Sequence, residues 1–190
     1  MSSAVDIANQ ALLMLGSLPI ISFDDESVEA SACKTLYPTA KKQILRSFPW
    51  RCATKVERLA KLATEPVDPK WEYLFAQPDN ALRILRIFVG DDINSDTAWE
   101  VQGQNILTRE DGALCQFIFE VPEPQLDVHV EMALVARLAT DLSYTLTASQ
   151  NREASMYQLA QEKLNEARIT DRQEASHTGF RIDKLDRVRR

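Results

Sequence analysis

The chain has 190 residues, 45% of them apolar and 26% charged, and a formal charge of −6. That length is enough for a real hydrophobic core, and that composition excludes a collagen, a disulfide scaffold and a generally disordered chain. No apolar run approaches the roughly 18–20 residues a membrane helix needs, and the start, Met1 to Ile7, has neither the basic nor the apolar region of a signal peptide. No membrane partner is expected, and the expected site of synthesis is a reducing cytoplasm.

In chain order, residues 3–16 predict a helix. Ser3 and Asp6 have capping-box spacing, and Ala4, Ala8, Ala11, Leu12 and Leu15 share a face. Gly16 can take the left-handed conformation that ends a helix, and Pro19 forbids continuation. A second helix is expected over residues 26–48, opened by Asp24-Asp25-Glu26 and striped by Ala30, Cys33, Tyr37, Ala40, Ile44 and Phe48. Pro38 inside it predicts a kink or a restart, and Pro49 ends it.

The apolar period then changes. Ala53–Leu62, Leu82–Val89, Trp99–Gln102, Asn105–Thr108 and Leu114–Val121 are short and often alternating, as strands are. Gly103 suits a tight hairpin turn, and Asp111-Gly112 marks a second turn. Both alternating sets of Leu82–Val89 contain apolar residues, so both faces of that strand should be covered. Pro122-Glu123-Pro124 breaks the sheet. A helix is expected over 125–147 with Val128, Met132, Val135, Ala139, Leu142 and Leu146 inward. Another is expected over 150–174 with Met156, Tyr157, Ala160, Leu164 and Ala167 on one face. The predicted fold is α+β. About four helices (1–49 and 125–175) form a bundle, with an antiparallel β region (50–122) inserted in a single discontinuous domain and an extended tail at 176–190.

Little in the chain reads as chemistry. Cys33, Cys52 and Cys115 fit no zinc or redox spacing and are expected to be buried small residues. There is no nucleophile elbow and no phosphate-binding glycine loop. His129 and His177 stand far apart without metal-ligand spacing, and Asp24-Asp25 and Asp91-Asp92 are better explained as a helix start and a loop than as cation sites. Asp68-Pro69-Lys70 with Asp79 has some nuclease character, but in inverted order. Trp50, Trp71, Trp99, Tyr73 and Phe75 could stack on bases, yet beside strands such residues usually fill a core or a subunit interface. No catalytic, cofactor or metal residues are expected, and the chain is read as structural and not as an enzyme.

The order of elements resembles the tail tubular protein A family, the head-to-tail adaptor subunits of tailed bacteriophages. Asn9-Gln10-Ala11-Leu12 through Leu15-Gly16 and Pro19-Ile20 look like that family's first helix and turn. Leu36-Tyr37-Pro38 through Leu45-Arg46-Ser47-Phe48-Pro49-Trp50 resemble its second helix and exit. Trp71, Tyr73, Phe75, Pro78 and Leu82-Arg83-Ile84-Leu85 resemble the segment that follows. Trp99, Val101, Gly103 and Ile106-Leu107-Thr108 resemble its later hairpin, and Leu134–Leu146 its long helix after the sheet. The resemblance spans most of residues 4–170. It implies a cyclic ring, usually of twelve copies, in the virion between the portal protein and the tail or nozzle protein. Double-stranded DNA would pass through the centre.

The tail lies outside that resemblance and is read from its chemistry alone. Residues 176–190 hold five cations against two carboxylates, a net +3, which leaves −9 on residues 1–175. Phe180, Ile182, Leu185 and Val188 interleave with Arg181, Lys184, Arg187, Arg189 and Arg190, a pattern suited to docking on the portal or a neighbouring subunit. The alternative is a small regulatory or nucleic-acid-binding module with this tail as its contact, in which case binding to duplex DNA should depend steeply on salt.

Overall fold

The computed structural model describes residues 2–90 and 97–175. Among the described residues the fold is α+β: four helices and two small antiparallel sheets. Helix α1 (Ala4–Leu15) carries the expected capping box. The Ser3 hydroxyl accepts from the Asp6 N–H at 3.1 Å, and the Asp6 carboxylate accepts from the Ser3 N–H at 2.8 Å. Gly16, at φ 71°, closes the helix in the left-handed region. The loop that follows is clamped by Asn9, whose side-chain amide donates to the Ile20 carbonyl at 2.9 Å and accepts from the Ile20 N–H at 2.8 Å.

Helix α2 (Val28–Ser47) is capped by Ser27 and not by the acidic run before it. Asp25 instead accepts from the Ile21 and Ser22 N–H groups and shapes the loop. The helix runs through Pro38 without restarting. Pro38 is exposed between buried Tyr37 and Ala40, so packing on both sides offsets the one lost backbone bond.

The β region forms two sheets. The first has strand order β1-β6-β3, from β1 (Thr54–Arg58), β3 (Ala81–Phe88) and β6 (Leu114–Phe119). The second has order β2-β5-β4, from β2 (Tyr73–Ala76), β4 (Trp99–Gln102) and β5 (Asn105–Thr108). The strand expected over Ala53–Leu62 is shorter: a 3-10 turn occupies Arg51–Ala53, and regular pairing stops at Arg58. Strand β2 has no counterpart among the expected strands, although Trp71, Tyr73 and Phe75 already alternate. Gly103, at φ 64° in the two-residue β4–β5 loop with no positive φ at Gln104, takes the first position of a II′ turn.

The first sheet lies between the helices and the second sheet. Ile118, Leu82 and Leu85 join the helical core, while Cys115, Phe117, Ile84 and Ile87 join a second core with Phe75 and Ile106. Both faces of β3 are therefore covered, as its sequence suggests. The division follows a spacing of three residues, because bulges interrupt the register between Ala81 and Arg83 and again between Ile84 and Arg86.

Helix α3 (Val128–Thr147) is the centre of the bundle, packed on α1, α2 and α4 (Gln150–Glu174). A 3-10 turn at Glu123–Gln125 precedes it, and Asp127 caps it, so it starts later than residue 125. Its inward face also differs from the expected one. Val135, Ala139 and Leu142 are buried, but Val128 and Met132 are exposed. A helix touching three neighbours buries a broad surface, here including Val130, Ala133, Leu134 and Leu138. On α4 only Ala160 and Ala167 are buried; Tyr157 is exposed, not inward. One narrow stripe docks α4 on α3; Arg152 near its start meets the end of α1, its last turns meet the corner after α2, and most of its other surface faces solvent.

Candidate functional site

The residues singled out for partner binding, Phe180 to Arg190, lie outside the described residues, as do Asp91-Asp92 and His177. The structure does fix the point from which the tail departs. The last turn of α4 is tied to the corner after α2. The Arg51 guanidinium pairs with Glu174 and lies 3.7 Å from Asp171, and the Arg51 N–H donates to the Asp171 carboxylate at 3.1 Å. Arg172 sits over the Phe48 ring at 5.2 Å, and Arg168 donates to the Ser47 carbonyl at 3.4 Å. This corner is also where Trp50 is wholly buried, its indole N–H donating to the Ile44 carbonyl at 2.8 Å.

The other sequence candidates separate. Trp50 belongs to the helical core, Phe75 to the second core, and Trp71 is buried, so these aromatics form no common stacking surface. Asp68 accepts from the Lys70 N–H at 2.9 Å, and the Lys70 ammonium lies 3.9 Å from Glu100 and over the Trp71 ring. Asp79 lines a different place, an open cleft of about 530 Å³ beside Lys55, Glu57 and Arg58. The nuclease-like set is not assembled. Asp24 pairs with Lys34 at 2.7 Å, and the N–H of His129 is held by the Asp127 carboxylate. Among the described residues, no group of three or more His, Cys, Asp and Glu side chains could hold a metal ion, and no helix is long and apolar enough to cross a membrane.

The thiols are poor nucleophiles. Burial, with Glu29 nearby, pushes Cys33 up to about 11, and burial with Glu57 pushes Cys115 up to about 12. Cys52 is half-buried and not fully inside, and burial raises it as well.

Two features were not readable in the sequence. One is a buried charge cluster. The Lys41 ammonium, 7% exposed, donates to Glu123 at 2.8 Å, and the Tyr37 hydroxyl donates to the same oxygen at 3.1 Å. Burial alone would raise the Glu123 carboxyl, but the hydrogen bonds and charge of Lys41, with Tyr37, outweigh it and hold the group below its usual value. Burial and the Glu123 charge in turn push the Tyr37 phenol far up. This cluster locks the link between β6 and α3 onto α2. The only sequence signal is a lysine on the apolar stripe of a helix.

The second feature is a shallow groove of about 570 Å³ between the first half of α2 and the end of α3, lined by Glu26, Val28, Ser31, Ala32, Leu36 and Thr145. Val28 is 68% exposed at its mouth. No protein-family model matches the chain, and no curated protein does.

Proposed function

We propose that this chain is a head-to-tail adaptor subunit of a tailed bacteriophage. It forms a cyclic ring, of twelve copies on the resemblance, between portal and tail, with double-stranded DNA in transit through the centre. One observation carries this reading. The segments that resemble the adaptor family fall on the same kinds of element in the same order. Ala11–Gly16 ends the first helix, Leu36–Trp50 takes in the second half of the second helix and its exit, Trp99–Thr108 is a hairpin, and Leu134–Leu146 lies in the long helix after the sheets. The largely exposed α4 offers a long polar face for side-by-side packing in a ring. A body at −9 adheres weakly to a passing polyanion, and the +3 tail supplies a docking element for portal or neighbour.

Negative-stain imaging of the protein with and without a portal ring tests the proposal. Rings stacked on the portal are expected. Deleting residues 176–190 should leave the fold intact and stop attachment to portal-bearing heads. A closed, stable dimer under both conditions would remove the reading.

A further inference from the structure

We infer that the chain's own residues 176–182 pair with the open edge of β1, as a fourth strand of the first sheet. Strand β1 lies at the edge of that sheet and is paired with β6. The Leu59 N–H donates to the Ala113 carbonyl at 3.0 Å, so in this register Lys55, Glu57 and Leu59 turn their backbone groups toward β6. Thr54, Val56 and Arg58 turn theirs outward, and among the described residues no backbone group meets them. A little further along, the same edge is in use. The Ala60 carbonyl accepts from the Ala76 N–H at 2.9 Å, and the Leu62 N–H donates to the Leu74 carbonyl at 2.8 Å. After Ala76 the chain leaves this edge, and a cleft lined by Glu57, Arg58, Ala76 and Pro78 opens there. The open stretch is thus Thr54–Arg58, in a chain segment whose far end already carries a strand on that side. Val56 within it is 47% exposed. Native sheets normally cover or blunt such an edge.

The departure point of the tail selects the occupant. The Arg51 N–H donates to the Asp171 carboxylate and its guanidinium to the Glu174 carbonyl, each at 3.1 Å, so α4 ends against a residue three positions before β1 begins. From Thr54 to Arg58 is about 13 Å of strand. Residues 176–182 span up to about 25 Å, enough to turn out of the helix and still run the length of the open edge. A strand that starts at the head of β1 and follows it runs parallel to it. Phe180 and Ile182, two positions apart, fall on one face of an extended chain, where they meet Val56, and Arg181 falls on the other. Lys184 to Arg190 lie beyond the added strand and stay available for a partner, so the pairing holds whether or not the chain forms a ring.

Residue-resolved amide exchange on the full chain tests this pairing. The Val56 N–H, which faces away from β6, should be protected like that of Glu57, which faces β6. A full chain carrying Phe180→Pro and Arg181→Pro loses two consecutive backbone donors, one of which faces β1 in either register. Both positions lie outside the folded body, and a melting curve checks that the variant is folded. In it the Val56 N–H should exchange at least tenfold faster, with the Glu57 N–H unchanged. Rapid exchange at Val56 in the unaltered chain overturns the inference. Equal protection of Val56 in both chains, or protection that grows with protein concentration as pairing with a second copy would give, overturns the choice of the chain's own tail.

Discussion

The helical layer and the outer sheet are stabilised in different ways. The helices share one continuous core in which alanines at Ala8, Ala11, Ala30, Ala40, Ala133 and Ala139 allow close approach, and Trp50 fills the corner where α2 ends. The outer sheet has three four-residue strands, and its core is a thin layer centred on Phe75, Ile87, Ile106 and Phe117, two of which belong to the first sheet. A region that borrows half of its core from its neighbour depends on that neighbour, while the neighbour depends far less on it. The helical layer is therefore the framework, and the outer sheet should open first.

Paired truncations test this directly. Trp50→Ala leaves a large cavity and removes the indole bond to the Ile44 carbonyl, which keeps the Ser47 hydroxyl as a donor at 2.7 Å, and should cost roughly 3–5 kcal/mol in urea unfolding. Amide exchange should then accelerate throughout both regions together. Phe75→Ala removes a fully buried ring of the outer layer, and its cost should fall near the lower end of that range, about 3 kcal/mol. Its exchange signature should be local, with β2, β4 and β5 opening well before the helices. If both variants speed exchange everywhere alike, the molecule is one cooperative unit and the comparison fails.

The Lys41–Glu123–Tyr37 cluster sharpens the comparison, because it holds the helical layer to the chain leaving the sheets. Glu123→Gln replaces an ionic acceptor with a neutral one beside a lysine that has almost no access to water. A cost of about 1.5–3 kcal/mol at neutral pH is expected. The pH dependence has a definite sign. The folded-state carboxyl titrates below its unfolded value near 4.5, so its stabilisation is fully present above that pH. It is lost as pH falls through the lowered folded-state value. The Gln variant cannot titrate there, so its stability should fall less steeply on acidification. Parallel slopes in the two proteins would show that the cluster contributes nothing through ionisation.

Local features were legible in the sequence and long-range ones were not. The Ser3–Asp6 box, Gly16 and the Gly103 turn each depend on residues within a few positions of one another, and all three form as the sequence indicates. The helix and strand types follow from the apolar period. The division into two sheets does not, because β1, β6 and β3 pair across long stretches of chain that no period records. Leu82 and Leu85 read as opposite faces of a flat strand, and only the bulges place both against the helices. Val128 and Met132 fit a stripe that α3 buries only from Val135 onward, because three neighbouring helices decide which residues it buries. The groove at Val28 exists only because α2 and α3 lie side by side, so no reading of either helix alone could find it.

The smallest expected effect concerns the last turn of α4, and it separates anchoring from stability. Arg51 is about half exposed, and its partners Asp171 and Glu174 differ sharply in exposure, at 10% and 52% of the side chain. Exposed ion pairs contribute only about 0–1 kcal/mol each, so Arg51→Ala should lower global stability by no more than about 1 kcal/mol. The local consequence should be larger in proportion. Among the described residues, Arg51 is the cation from outside the helix that meets the end of α4, and it also donates to the Glu174 carbonyl at 3.1 Å. Without it the final turn keeps the stacking of Arg172 on Phe48, which holds only one side of the helix. Amides of residues 171–174 should exchange faster while those around Ala160 and Ala167, the buried stripe, stay protected. A loss above about 2 kcal/mol, or faster exchange reaching Ala160, would place the end of α4 inside the helical framework and not at its edge. The distinction matters for the tail: a departure point held by surface charge can be loosened without unfolding the body, whereas one built into the core cannot.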